Sequence, residues 1–148
     1  MQPSSYRPIS LLPIPGKVFE ALIINKTLVQ FLERHELLSD MQYGFRHSRS
    51  TGDLSYAMDH ISRVLDRQGE TRSVALDISE AFDKVWHQGL LTKLRSYGIS
   101  GQLNKLVASF LEDRQMSTVV LNGQRSSTKC INAGVPQGSI LGPTLFLL

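Results

Sequence analysis

Asp77 is the first residue of this sequence placed to do chemistry. It follows Ser73-Val74-Ala75-Leu76 and precedes Ile78, a short apolar run that reads as a buried strand. A carboxylate at the end of such a strand is costly to bury unless a cation or a set of hydrogen bonds neutralises it. Two uses remain open: a ligand for metal or substrate, or an N-cap or salt-bridge partner at a strand-to-helix turn, where Ser79 competes for the capping role. Asp83 reads instead as a first-turn carboxylate favoured by the helix dipole. The second candidate is the loop Gly134-Val135-Pro136-Gln137-Gly138-Ser139, which runs on to Gly142. No Lys-Ser/Thr follows its glycines, as a P-loop requires, and they do not spell a dinucleotide fingerprint. Ser139 lacks the glycine two residues before it that a nucleophile elbow needs. What remains is a loop with exposed backbone and one amide side chain, Gln137, held by Pro136. It suits either close approach of a ligand's backbone or sugar, or a plain connection between two elements. The third candidate is the set Arg7, Arg46 and Arg49, whose guanidinium forks suit phosphate and equally suit a solvated loop.

The elements that must position these residues follow from periodicity and breakers. Residues 2–16 hold Pro3, Pro8, Pro13 and Pro15 and must be extended or turning. From Lys17 to about His35 the pattern is helical, with Val18, Leu22, Val29 and Leu32 on one stripe and Phe19 and Ile23 beside it. Residues 39–53 form a polar loop broken by Gly44 and Gly52. A second helix carries Leu54, Met58, Ile61 and Leu65 and ends at Gln68-Gly69-Glu70. After the strand at 73–78, a helix-like segment runs through Val85, Trp86, Leu90 and Leu94 to Gly98, and another covers Leu103, Leu106, Val107, Phe110 and Leu111. Two strands, Ser117 to Leu121 and Ser127 to Ile131, are joined at Asn122-Gly123, a strong hairpin signal. Pro143 opens a last helix at its first turn. Its residues Thr144 to Leu148 are apolar and uncapped, which predicts an apolar face without a partner and a chain cut short.

Composition sets wider bounds. The 148 residues are 41% hydrophobic and 20% charged, with a mean hydropathy of −0.10, which is globular and neither disordered nor membrane-like. The longest apolar runs, such as Ala21 to Ile24, are far too short to span a bilayer. No signal peptide is readable. A net charge of +3 is compatible with a nucleic-acid partner and with many ordinary enzymes. One cysteine, Cys130, excludes an intrachain disulfide and a zinc knuckle. The four histidines show no ligand spacing, so a metal here would be held by oxygen.

The strings YRPISLL (6–12), QYGFRHSRST (42–51), ALDISEAFDKVWH (75–87) and GVPQGSILGPTLF (134–146) together resemble, in order and spacing, the reverse transcriptase domain of non-LTR, jockey-like retrotransposons. Group II intron maturases share a looser version of the pattern. The resemblance covers essentially the whole chain. It implies an α+β right-hand polymerase, with residues 1–72 as fingers and 73–148 as an incomplete palm, an antiparallel sheet with flanking helices that stops before the catalytic Tyr-x-Asp-Asp hairpin. It also implies RNA-directed DNA synthesis: a primer 3′-hydroxyl attacks the α-phosphate of a dNTP on an RNA template, with two Mg²⁺ ions (Mn²⁺ as a substitute) clamping the attacking and leaving oxygens. The implied partners are RNA template, DNA primer, dNTPs and the remaining palm, thumb and endonuclease of the polyprotein, with no membrane, in an intracellular and nuclear setting.

By the same resemblance, Asp77 is the first metal-binding aspartate, with the Ile78 carbonyl as a second ligand. Phe82 is the aromatic under the sugar's 2′ position, and Ala81 offers its backbone N–H to the nucleotide. Gln137 lies against the incoming nucleotide, with Gly138 allowing close approach. Arg7 lies near the triphosphate, and Arg46 and Arg49 lie on the nucleic-acid track. Glu80 departs from the lysine common in the family. A truncated, non-catalytic remnant that at most binds nucleic acid is the alternative from another class.

Overall fold

The computed structural model describes every residue except 1–6, 51, 68, 73, 120 and 121, and every side chain except these and those of Ile23, Leu54 and Ala57. The chain forms two compact units, Met1–Leu37 with Glu80–Leu148, and Leu38–Ser79.

The first unit opens on helix α1 (Ile14–Phe19), a π-helical turn (Glu20–Asn25) and α2 (Lys26–Arg34), which run on from one another. The predicted helix is present, but its buried face keeps only Leu32, and in part Val29, of the predicted stripe. Val18, Phe19 and Leu22 are exposed, while Glu20, Ile24, Leu28 and Leu32 are buried; the side chain of Ile23 lies outside the described set. The π turn is the cause. Its i→i+5 hydrogen bonds widen the helix, so residues spaced by four line up more nearly than in an α-helix, and the face rotates onto Glu20 and Ile24.

A 3₁₀ turn (Ala81–Lys84) leads to α4 (His87–Ser96) and α5 (Gly101–Leu111). Helix α4 ends where Gly98 predicts. Gly98, at φ +86°, donates to the Arg95 carbonyl at 3.0 Å, and the Ile99 N–H reaches the Leu94 carbonyl at 2.9 Å, a Schellman closure. Leu90, Leu94, Ile99, Val107 and Leu111 are buried with the α2 leucines, each contributing about 1.5–3 kcal/mol of burial. Trp86 differs from expectation. It sits before the helix rather than on its stripe, exposed, with its ring over Gly89, where an added Cβ would collide with the indole.

The hairpin forms around Asn122-Gly123, but its first strand lies wholly before the predicted Ser117 to Leu121 and its second covers only the end of the predicted Ser127 to Ile131. Strand β1 (Arg114–Met116) pairs antiparallel with β2 (Lys129–Ile131), and a single bridge joins Val119 to Arg125. Between Met116↔Lys129 and Val119↔Arg125 the returning strand has one residue more, a bulge that interrupts the ladder. The predicted strand residues Val120 and Leu121 lie outside the described set.

Helix α6 (Leu141–Leu147) packs on the π turn. The expected face without a partner is corrected: Leu141 and Leu145 are fully buried. Its N-terminus is closed as well. The Glu20 carboxylate accepts the N–H groups of Ile140 (3.0 Å) and Leu141 (3.1 Å), and Ser139 Oγ accepts that of Gly142 at 2.9 Å. Pro143 has no N–H to satisfy, so the donors that a helix start leaves open all have partners or do not exist.

The second unit holds α3 (Gly52–Asp66), the helix predicted from Leu54, Met58, Ile61 and Leu65. Gly69 donates back to Val64 at 3.1 Å as the chain leaves it; Gln68 lies outside the described residues. Met58 and Leu65 are exposed, and the side chain of Leu54 is not described. The strand predicted over 73–78 does not form. Residues 74–78 form no regular element, with Val74, Leu76 and Ile78 exposed, and Ser73 lies outside the described set. A strand exists by virtue of its ladder, and among the described residues none pairs with this segment. The sheet among the described residues is therefore the β1–β2 pair alone, smaller than the sheet expected for a palm.

Candidate functional site

In the first unit the Gln137 loop is tied at its start, Gly134 and Val135, to the segment that follows Glu80. Glu80 itself turns through φ +56° and delivers Ala81 and Phe82 into the 3₁₀ turn. The Val135 N–H donates to the Phe82 carbonyl at 2.7 Å, and the Gly134 N–H to the Val85 carbonyl at 2.8 Å. His87 Nε2 donates to the Gly134 carbonyl at 2.7 Å inside the protein. Gly134 is required here: it adopts φ +86°, and a Cβ on it would stand 2.8 Å from the Asp83 carbonyl oxygen. The Phe82 ring stacks on Phe146 of α6, centroids 4.9 Å apart and 20° between planes. On the loop's other flank the Ser10 N–H donates to the Gln137 carbonyl at 2.7 Å. Gly138 there takes φ +96° against the Ser10 backbone.

These contacts leave a cavity of about 230 Å³ beside the loop. Gln137, Asp83, Ser10 and Arg114 supply its polar lining, and Pro8, Met116 and Ile131 are among its apolar walls. This volume is below the roughly 300–1,000 Å³ of drug-sized sites. Burial pushes the Arg114 guanidinium below its ordinary range, and the nearby Glu20 carboxylate opposes the shift. The guanidinium also lies 5.8 Å from the centre of the Phe110 ring. Arg114 was not legible in the sequence: it is one basic residue between a helix and a strand, and only the folded hairpin turns it toward the loop. Asp83 falls in the first turn of its short helix, as its position predicts, and lines the same cavity.

The remaining predicted residues divide between the units. Arg7, exposed, belongs with Ala81, Phe82, Gln137 and Gly138, whereas Asp77, Ile78, Arg46 and Arg49 belong to Leu38–Ser79. Asp77 is exposed. It has no hydrogen-bond or ion-pair partner among the described residues, so it neither caps a helix nor sits in a salt bridge there. The backbone of Ile78 is in the same open segment. Arg46 Nη1 donates to the Ser39 carbonyl at 2.7 Å. Arg49 lies 3.6 Å from Asp40 and 5.4 Å from the centre of the Tyr43 ring. The polar loop thus uses both arginines to hold its own shape; Thr51 of its motif lies outside the described residues.

As a metal site this donor set is incomplete. Asp77 and the Ile78 carbonyl are oxygen ligands of the kind Mg²⁺ takes, but no group of three His, Cys, Asp or Glu residues that could hold a metal ion gathers among the described residues. One carboxylate does not fit a pair of Mg²⁺ ions. Among the described residues no helix is long and apolar enough to cross a membrane.

Comparison with known proteins gives this geometry its setting. Residues 2–148 match the family described as reverse transcriptase (RNA-dependent DNA polymerase). The chain is 46% identical over 143 residues to the RNA-directed DNA polymerase from mobile element jockey of Drosophila funebris, covering 96% of this chain and 15% of that protein. It is 42% identical over 143 residues to the corresponding jockey protein of Drosophila melanogaster, covering 96% and 15%. Against the probable RNA-directed DNA polymerase from transposon X-element of the same species it is 40% identical over 148 residues, covering 99% and 16%. No solved structure matches. The chain spans 15–16% of the length of these curated relatives, and across that span it belongs to the reverse transcriptase family of non-LTR retrotransposons.

Proposed function

We propose that this chain is the fingers and the first part of the palm of an RNA-directed DNA polymerase, with residues 1–72 as fingers and 73–148 as palm. The observation that carries the reading is the family match over residues 2–148, joined to the strapping of the Gln137 loop onto Phe82 and Val85. The reaction is addition of dNMP to a primer 3′-hydroxyl on an RNA template. Magnesium, or manganese in its place, is the cofactor assigned to the whole polymerase. In this chain Asp77 and the Ile78 carbonyl are its ligands, a set too small to support a step by itself. The other residues bind and orient. Gln137 and Gly138 face the nucleotide, Ala81 offers its backbone N–H, Phe82 excludes a 2′-hydroxyl, and Arg7 lies near the triphosphate. Arg46 and Arg49 lie on the RNA–DNA track. The remainder of the polyprotein and a nuclear setting belong to the same reading.

Primer extension on poly-rA/oligo-dT with Mg²⁺ tests it, in the full-length polypeptide that carries this chain. The expected result is dTMP incorporation that disappears in Asp77→Ala. Incorporation that survives Asp77→Ala, or none in the unmodified polypeptide, overturns the reading. The 148-residue chain alone is expected to incorporate nothing, because two-ion phosphoryl transfer needs more carboxylates than Asp77 supplies.

A further inference from the structure

Glu20 is a carboxylate where the helix stripe calls for an aliphatic side chain. It is 4% exposed and shares its face with Ile24 and Leu28. A buried charge there is costly unless hydrogen bonds compensate it, and Glu20 has two, from the backbone of Ile140 and Leu141 at 3.0 and 3.1 Å. His87, 8% exposed, gives its Nε2 proton to the Gly134 carbonyl at 2.7 Å. These anchor points bracket the Gln137 loop, one at each end. Inside the bracket, Gly134 and Gly138 both take left-handed backbone conformations. Glycine on either side of Gln137 gives the segment more freedom than any other residue would, and freedom there blurs the position of the amide. The tethers lie where they remove it. A further link, Thr144 Oγ1 to Asn25 Oδ1, joins α6 to the same π turn that carries Glu20.

We infer that Glu20 and His87 are positioning residues that clamp the two ends of the Gln137 loop and so fix where its amide and backbone meet the nucleotide. The inference rests on the reading of Gln137 as nucleotide-facing. The clamp does not act through bulk: an aliphatic or aromatic side chain of similar volume fills both places without holding the loop.

Amide hydrogen exchange of the 148-residue chain tests the clamp, with Glu20→Leu, Glu20→Gln, His87→Phe and His87→Gln. Glu20→Leu is expected to speed exchange at Ile140 and Leu141, and His87→Phe at the hydrogen-bonded amides of Gly134 and Val135 beside its anchor, by about ten- to a hundredfold, the effect of losing a hydrogen bond. Amides of α4 and α5 are expected to keep their rates. The Gln variants keep a group that can accept or donate and are expected to restore most of the protection. Unchanged loop exchange, or acceleration spread equally over α4 and α5, overturns the clamp and leaves ordinary core stability. In the full-length polypeptide, Glu20→Leu and His87→Phe are expected to raise the KM for dNTP roughly tenfold through misplacement of Gln137, with template affinity kept. Loosened loop amides with an unchanged dNTP KM leave the clamp standing and remove the nucleotide-facing role of Gln137.

Discussion

The ring of Phe82 lies nearly parallel to that of Phe146, 4.9 Å away. The residue proposed to exclude a ribonucleotide is therefore backed by the last helix of the chain. A steric gate works only if the ring cannot yield, since even a 1 Å misplacement at a reacting centre can change rates by about a hundredfold. In the full-length polypeptide, Phe82→Ala is expected to lower the dNTP-over-rNTP ratio of kcat/KM by roughly ten- to a hundredfold. Phe146→Leu is expected to lower it less, by removing the stacked ring behind Phe82 while keeping an apolar side chain there. Aromatic pairs contribute about 0.5–1.5 kcal/mol beyond burial, so both variants also melt earlier. A lower melting temperature with an unchanged sugar ratio assigns Phe82 to the core alone.

Gly134 and Gly123 make a controlled pair. Both take positive φ, +86° and +76°, yet a Cβ on Gly123 meets nothing within 4 Å whereas one on Gly134 stands 2.8 Å from the Asp83 carbonyl oxygen. Gly123→Ala is expected to cost about 1–2 kcal/mol, the backbone term for a left-handed residue. Gly134→Ala adds a backbone collision and is expected to cost at least about 1 kcal/mol more. At roughly 2–4 °C per kcal/mol for a chain of this size, thermal melts resolve the two. Equal melting temperatures contradict the close approach of loop and 3₁₀ turn.

What the sequence makes legible is what local chemistry decides. Gly98 ends α4, Asn122-Gly123 turns the hairpin, and the apolar spacing in α5 buries Val107 and Leu111, because each signal acts within a turn or two of itself. The face of the first helix was not legible. A π turn shifts it by a fraction of a turn, and Glu20 on that face reads as a solvent residue until Ile140 and Leu141, more than a hundred positions away, supply its partners. Val74 to Ile78 has strand composition on both faces, but composition does not supply the neighbouring strands a ladder needs. For the site, the Gln137 loop and Phe82 were visible as motifs. Arg114 was not, and His87 was visible only as the last residue of the 75–87 string, since each acts through a tertiary contact to the loop that no local pattern encodes.

Arg49 gives a test of the nucleic-acid track. It is held by the exposed Asp40 at 3.6 Å and by the half-buried Tyr43 ring, loop contacts near the surface of the kind worth about 1 kcal/mol or less, so an incoming phosphate can displace the carboxylate. In the full-length polypeptide, Arg49→Ala is expected to weaken RNA–DNA binding uniformly across sequences and to reduce the slope of log K against log salt by about 0.7–0.9, one phosphate contact. An unchanged slope places Arg49 off the track and leaves it a loop residue.

Gln137 separates nucleotide from template most directly. Its backbone is fixed by the Ser10 N–H at 2.7 Å, and it lines the cavity together with Asp83 and Arg114, on a loop rather than along a basic strand. Gln137→Ala leaves the backbone tether in place and removes only the amide. Losing one well-placed hydrogen bond to the reacting complex costs about 1–3 kcal/mol, roughly five- to 150-fold in rate. In the full-length polypeptide, kcat/KM for dNTP incorporation is expected to fall within that range, while filter binding of the RNA–DNA hybrid changes less than about twofold, well under the effect of one lost phosphate contact. Gln137→Glu, which keeps an acceptor but adds a negative charge near a triphosphate, is expected to lose more than Gln137→Ala at low salt and to recover part of the difference as salt screens the repulsion. Equal losses in hybrid affinity and incorporation place the amide on the template side of the cavity instead.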